Sequence, residues 1–251
     1  MRYFIIPTYN EAANLPHLAK ELAPFLADDQ AWLVISDDGS SDGTRELAPS
    51  LFPPERLTVL GDGINRGPGH AFNAGFEYVL GRADNDDLIV TMEADCTSDV
   101  RILPHMLAIA ALGYDVVLAS VYSQGGGFER TTWLRKFLSA TANFIYRFIF
   151  DLKVSTLSSF YRVYRAGLLQ QAKSRYGTLI VERGFICMLE VLIKLIRLEA
   201  RVIEVPMVLA SERRVGRSRM KLARTTLDYF RFLLRFNSRH ERRANPGSQP
   251  R

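Results

Sequence analysis

Arg2-Tyr3-Phe4-Ile5-Ile6-Pro7-Thr8-Tyr9-Asn10-Glu11 begins with a short β-rich run and turns polar within a few residues. The change recurs three times. Trp32 to Ile35 leads into Asp37-Asp38-Gly39-Ser40, Leu57 to Leu60 into a glycine-rich stretch holding Asn65-Arg66-Gly67, and Leu88 to Met92 into Glu93-Ala94-Asp95. Between these runs, apolar residues fall at helical spacing: Leu15, Leu18, Leu22, Phe25 and Leu26 after a cap at Asn10, and Phe72, Phe76 and Val79 after the glycines. Ser41 is expected to cap a second helix, Ile102 to Leu112 to form another despite Pro104, and Val116 to Ala119 to be a fifth strand. Strands alternating with helices predict an α/β fold with a mainly parallel, mixed sheet flanked by helices. Ligands of such sheets bind beyond the carboxyl ends of the strands, so the polar clusters describe one crevice, of a kind that accepts a nucleotide.

The second half has a different texture. Thr131 to Phe150 and Gly184 to Leu198 read as long apolar helices, and Val202 to Val205 as a late strand ended by Pro206. Thr225 to Phe236 sets Leu227, Phe230 and Leu234 beside Arg231 and Arg235, the pattern of an amphipathic helix in a membrane interface or of one packed on its own domain. The polar end, 237–251, reads as a basic, disordered tail. With 251 residues and 47% hydrophobic content the chain suits one domain.

Charge is unevenly placed. From Arg213 onward twelve arginines and lysines face only Asp228 and Glu241, a local excess of +10, so the preceding 212 residues sum to −5 within a formal +5. That asymmetry suits an anionic lipid, a nucleic acid or a phosphorylated ligand, or a solvated tail; no nucleic-acid module is legible. Cys96 and Cys187 lack metal-type spacing and fit a reducing compartment, and His17, His70, His105 and His240 form no ligand array. The first residues lack the order of a secretory signal, and no window offers the ~20 apolar residues of a spanning helix. The expectation is a protein on the cytosolic side.

Each cluster has a chemistry. An ionised Asp37 or Asp38 at a strand end accepts two hydrogen bonds from ribose hydroxyls or a base, or else closes an Asx turn before Ser40 and Gly43. Glu93 and Asp95, with one residue between them, suit Mg²⁺ or Mn²⁺ that keeps open positions for diphosphate oxygens. The stretch from Gly61 to Gly69 has GxGxxxGxG spacing and lies after the third strand, which excludes the dinucleotide fingerprint; the Walker lysine is also absent. Arg213, Arg214, Arg217, Arg219 and Lys221, interleaved with Gly216 and Ser218, form a basic loop whose guanidinium forks match phosphate oxygens.

Together these clusters resemble the inverting glycosyltransferases of family 2, with their GT-A fold. Pro7 to Glu11 matches P-x-Y-N-E, Asp37 to Ser40 matches DDGS, and Asn65 to Gly75 matches N-x-G…A-x-N-x-G. The second half is similar to dolichyl- and polyprenyl-phosphate mannose synthases. Gly125-Gly126-Gly127 with Trp133, Arg135, Ser139 and Asn143, then Asp151 to Tyr164, Gly184 to Glu190, Glu204-Val205-Pro206 and Arg213 to Arg219 follow that group's later elements. The resemblance implies a single domain over 1–236, with a nucleotide-sugar-binding half at 1–120 and an acceptor-binding, membrane-facing half at 121–236.

It further implies that Pro7, Tyr9, Glu11, Asp37, Asp38, Asn65, Gly67, Glu93, Ala94, Asp95 and Glu190 line the nucleotide-sugar site. Glu93 and Asp95 would hold Mg²⁺ or Mn²⁺, and Asp95, Arg135, Arg213 and Arg219 would serve catalysis at the donor diphosphate or the acceptor phosphate. The implied reaction moves a hexose, foremost mannose from GDP-mannose, to a polyprenyl or dolichyl phosphate at the cytosolic face of a membrane. The protein would be peripheral there, with a membrane subunit as a further partner and no nucleic acid. An acceptor that is already anionic needs no dedicated base. Four departures stand out: Glu93 for the usual aspartate, Thr97 for a polar amide, Val121 for an arginine, and Ser158 to Arg162 for G-S-F-R. They suggest altered donor or acceptor specificity. Two alternatives stay open: a family 2 transferase acting on a sugar hydroxyl, with Glu190 as base, and a non-catalytic nucleotide-sugar-binding protein.

Overall fold

The computed structural model describes residues 1–129, 141, 147, 149, 153–157, 159–216, 229, 231 and 232. Seven strands form one sheet in the order β3-β2-β1-β4-β7-β5-β8. These are β1 (Arg2–Thr8), β2 (Ala31–Asp37), β3 (Leu57–Leu60), β4 (Leu88–Thr91), β5 (Val116–Ser120), β7 (Arg162–Arg165) and β8 (Val202–Pro206). All pairings are parallel except those of β7, which runs antiparallel between β4 and β5. Two short strands, β6 (Gly127–Glu129) and β9 (Val208–Ala210), pair in parallel beside it.

Alternating side chains along each strand supply two cores. Tyr3 and Ile5 enter one apolar layer, Phe4 and Ile6 the other. The first layer is completed by Phe72, Phe76 and Val79 of α3 (Pro68–Leu80), by α5 (Ala166–Tyr176) and by α6 (Cys187–Ile196). The second is completed by Leu15, Leu18, Leu22 and Leu26 of α1 (Leu15–Leu26), by Ala48 of α2 (Thr44–Leu51) and by Leu103 and Met106 of α4 (Leu103–Ala111). A parallel sheet covered on both faces needs strands that are apolar on both sides, as β1, β2 and β5 are.

Several local expectations are corrected. Asn10 does not cap α1. It adopts a left-handed φ of 56°, and its side-chain oxygen accepts the Ser41 N–H at 2.8 Å, tying the first polar cluster to the second. Ser41 does not cap α2; Asp42 accepts the Thr44 N–H at 3.0 Å in its place. Pro104 lies in the first turn of α4, where its missing N–H has no helical partner to lose. The helix expected over Gly184 to Leu198 is confined to α6. Strand β7, helix α5 and the β6–β9 pair were not anticipated. The helix expected over Thr131 to Phe150, the amphipathic helix over Thr225 to Phe236 and the tail at 237–251 lie outside the described residues, apart from positions in the first two.

Strand β7 is anchored by Arg162, whose side chain is wholly buried. Its guanidinium donates to the carbonyls of Ser159 (2.7 Å), Leu157 (2.8 Å) and Met188 (2.7 Å) and to the Tyr164 hydroxyl (3.3 Å). A buried cation is tolerated when its donors are satisfied, and these bonds join Leu157 and Ser159 to β7 and α6. Replacing Arg162 with Met leaves those carbonyls without a donor and should lower stability by about 3 kcal/mol. Urea unfolding of wild type and R162M measures this; equal midpoints and slopes would contradict it.

Candidate functional site

The parallel strands deliver their polar ends to one edge. Thr8, Asp37 and the residues after Thr91 end adjacent parallel strands, and the antiparallel β7 begins there with Phe160 and Tyr161 leading into it. The structure therefore brings the Pro7–Glu11, Asp37–Ser40 and Glu93–Asp95 clusters to one edge.

Asp37 belongs to the turn. Its carboxylate accepts from the Thr8 hydroxyl (3.1 Å), the Gly39 N–H (3.1 Å), the Ser40 N–H (3.0 Å) and the Ser40 hydroxyl. Four bonds fill the roughly four acceptor positions of a carboxylate, so in this arrangement Asp37 holds its turn together. Asp38 is also buried, and its two oxygens accept the N–H groups of Arg66 and Gly67, both at 2.8 Å. Burial pushes the Asp38 carboxyl above the usual range, against the lowering effect of these two bonds. The second cluster thereby fixes the third, and Asp38 keeps acceptor capacity.

The glycine-rich loop is held equally tightly from its other side. Gly67 has φ +95°, and a Cβ there would lie 2.5 Å from the Arg183 carbonyl; at Gly69 it would lie 1.9 Å from the Glu182 carbonyl. The Gly69 N–H donates to the Arg183 carbonyl at 2.9 Å. This 181–183 segment explains Glu190. One of its oxygens accepts the Val181 and Glu182 N–H groups, each at 2.9 Å, and the other pairs with Lys194 at 2.7 Å. Lys194 also donates to the Thr178 and Leu179 carbonyls. Glu190 is thus a buried support beneath the loop.

Glu93 and Asp95 emerge from β4 between two core residues, Ala94 and Cys96. Glu93 accepts the Ser98 hydroxyl at 2.9 Å and the Phe160 N–H at 3.3 Å. One oxygen of Asp95 accepts from Thr97, at 3.1 Å from its N–H and 2.7 Å from its hydroxyl. The other forms an ion pair with Arg214. Thr97 therefore orients Asp95 directly. Glu11, the last residue of the first cluster, accepts from the Asn14 amide at 2.6 Å.

The basic segment docks here. Arg213 pairs with Glu21 of α1 at 3.2 Å, and Val215 exchanges bonds with Asn14, its N–H donating at 2.8 Å and its carbonyl accepting at 3.3 Å. Arg213 thus meets a carboxylate of the protein in this arrangement. Arg214 was expected in the basic loop as a phosphate contact, not as the partner of Asp95 119 residues away, and Asn14, whose partner lies 201 residues away, was not singled out from the sequence. Pro7 and Tyr9 are half-buried at the end of β1 and Asn65 is exposed on the loop. Arg135 and Arg219 lie outside the described residues.

Among the described residues, one trio of ligand-type side chains places its atoms within 4.8 Å of one another: His17, Glu21 and Cys96. Burial and the neighbouring Glu21 and Glu11 push the Cys96 thiol up to about 12. Both cysteines are free and buried. No helix among the described residues is long and apolar enough to cross a membrane.

The family model described as glycosyl transferase family 2 matches residues 3–172, and the chain belongs to that family: it is a glycosyltransferase. Among its relatives is the polyprenol monophosphomannose synthase of Mycolicibacterium smegmatis, 32% identical over 218 residues that span 86% of this chain and 79% of that one. The undecaprenyl-phosphate mannosyltransferase of Micrococcus luteus is 30% identical over 217 residues, 86% of each chain. In fold the chain is similar to glucosyl-3-phosphoglycerate synthase from Mycobacterium tuberculosis, solved with Mn²⁺ and UDP-glucose. That likeness has a TM-score of 0.65 at 16% identity over 95% of this chain and 78% of that one. The GT-A architecture expected from the sequence is the one observed.

The support role of Glu190 has a measurable consequence. Glu190→Gln leaves Lys194 buried without its carboxylate and should cost about 3 kcal/mol in urea unfolding. Unchanged stability in E190Q would contradict the role.

Proposed function

We propose that the protein transfers a mannosyl group, with inversion, from a nucleoside diphosphate sugar, GDP-mannose foremost, to a polyprenyl or dolichyl phosphate. The observation that carries the reading is the acidic pair Glu93 and Asp95 at the end of β4, facing a cationic segment within the strand-end crevice. The names of the two bacterial relatives supply the sugar and the lipid phosphate as the first substrates to test.

The donor set fits a divalent ion. The free oxygen of Asp95 already selects a positive partner, Arg214, and each oxygen of Glu93 accepts a single bond, leaving acceptor capacity. Mg²⁺ or Mn²⁺ would be held by Glu93 and Asp95, and when bound it would supply Lewis-acid neutralisation of the diphosphate leaving group. Thr97, Ser98 and Phe160 orient the two carboxylates. Asp38 fixes the glycine-rich loop, and Pro7, Tyr9, Glu11 and the Asn65–Gly67 backbone line the nucleoside side of the crevice. Arg213 and, beyond the described residues, Arg135 and Arg219 would meet donor or acceptor phosphate oxygens.

An acceptor phosphate is ionised at neutral pH, so rate comes from positioning and charge stabilisation, without a general base. A sugar-hydroxyl acceptor would need a base, and the residue suggested for that work, Glu190, is engaged under the loop. A lipid acceptor places the enzyme peripherally on a membrane surface, its cytosolic face by this reading, where a membrane subunit is a further partner.

The test incubates purified protein with Mn²⁺ or Mg²⁺, labelled GDP-mannose or UDP-glucose, and polyprenyl phosphate, and follows label into the organic phase. Mannose label should enter it, and Asp95→Asn should reduce the rate by about 100-fold or more. Undiminished transfer by D95N would overturn the metal role, and absence of mannose label with every acceptor would overturn the reaction.

A further inference from the structure

We infer that Arg214 is a tethered counter-cation of the donor site: its guanidinium and the divalent ion compete for Asp95, and loading the ion releases residues 213–215 from the start of α1. The inference rests on the proposed metal role of Glu93 and Asp95.

Three consecutive residues dock through three different contacts. Arg213 pairs with Glu21, Arg214 with Asp95, and Val215 is clasped by both side-chain groups of Asn14. The middle contact is the one that lies on the acidic pair. The Asp95 side chain is 8% exposed and that of Arg214 25%, so neither charge is well solvated and each depends on the other. Arg214 is also within the field of Glu11 and Glu93, which favour its charged form while burial opposes it.

Asp95 has one oxygen committed to Thr97 and one to Arg214. A divalent ion ligated by that second oxygen would stand in contact with a guanidinium in a poorly solvated place, and like charges repel strongly there. Occupancy by the ion and by Arg214 is therefore mutually exclusive. Departure of Arg214 removes one of the three contacts and drags on its neighbours through single peptide bonds. The segment is also directly continuous with the basic stretch that begins at Arg217. Arg214 thus offsets one of the two charges of the acidic pair while the crevice is empty and yields a freed guanidinium when it fills.

Mn²⁺ alone is the probe. Electron paramagnetic resonance counts free Mn²⁺ during titration of wild type, R214Q and D95N, and hydrogen exchange follows the peptide 211–216. R214Q should bind Mn²⁺ about fivefold more tightly than wild type, reflecting loss of a competing ion pair. Exchange in 211–216 should accelerate on adding Mn²⁺ to wild type and should already be fast in metal-free R214Q and D95N. Equal Mn²⁺ affinity in wild type and R214Q, with binding lost in D95N, would overturn the competition and leave the acidic-pair reading standing. Exchange in 211–216 that ignores Mn²⁺ would likewise overturn it. Failure of both wild type and R214Q to bind Mn²⁺, even with GDP present, would remove the acidic-pair reading and this inference together.

Discussion

The buried guanidinium of Arg162 is the constraint on which the site's geometry depends. A strand running antiparallel between β4 and β5 departs from the otherwise parallel order, and something must hold its entry turn in place. Arg162 does so by donating to the Leu157 and Ser159 carbonyls and to that of Met188 in α6. Phe160, between Ser159 and β7, donates its N–H to Glu93, so a hydrogen-bond requirement deep in the sheet helps set the position of a carboxylate at its edge.

The same economy runs through the other polar clusters. Residues that looked like ligand contacts are in large part contacts to one another. Asp37 closes its own turn, Asp38 holds the glycine-rich loop, Asn10 reaches Ser41, and Glu190 stiffens the segment on which Gly67 and Gly69 rest. Preorganisation of this type suits the proposed transfer, in which the rate comes from holding two charged substrates in line. The groups that the proposed reaction assigns to substrate are few: the acidic pair, the half-buried Pro7, Tyr9 and Glu11, and the docked cations.

Strand-helix alternation made the sheet's parallel half legible, since β1 to β4 each carry a compact apolar run before a polar cluster and β5 is itself such a run. Strand β7 escaped because Arg162 and Arg165 give Arg-Val-Tyr-Arg no apolar run, and the burial of Arg162 depends on carbonyls from remote segments. Motif spacing identified Glu93 and Asp95 without a structure. It could not reveal that Glu190 has Lys194 as a partner one helical turn on, nor that Arg214 reaches Asp95 across 119 residues. Caps were misplaced for a local reason: Asn10 and Ser41 have capping side chains, yet both are used between loops.

The central claim is that a divalent ion binds the carboxylates ending β4. Anomalous diffraction at the manganese edge, from crystals soaked with Mn²⁺ and GDP, locates the ion without reference to activity. The account predicts a peak ligated by Glu93 and Asp95, with Arg214 displaced from Asp95. A peak at His17, Glu21 and Cys96, or GDP bound in the crevice with no ion between it and these two carboxylates, would contradict it.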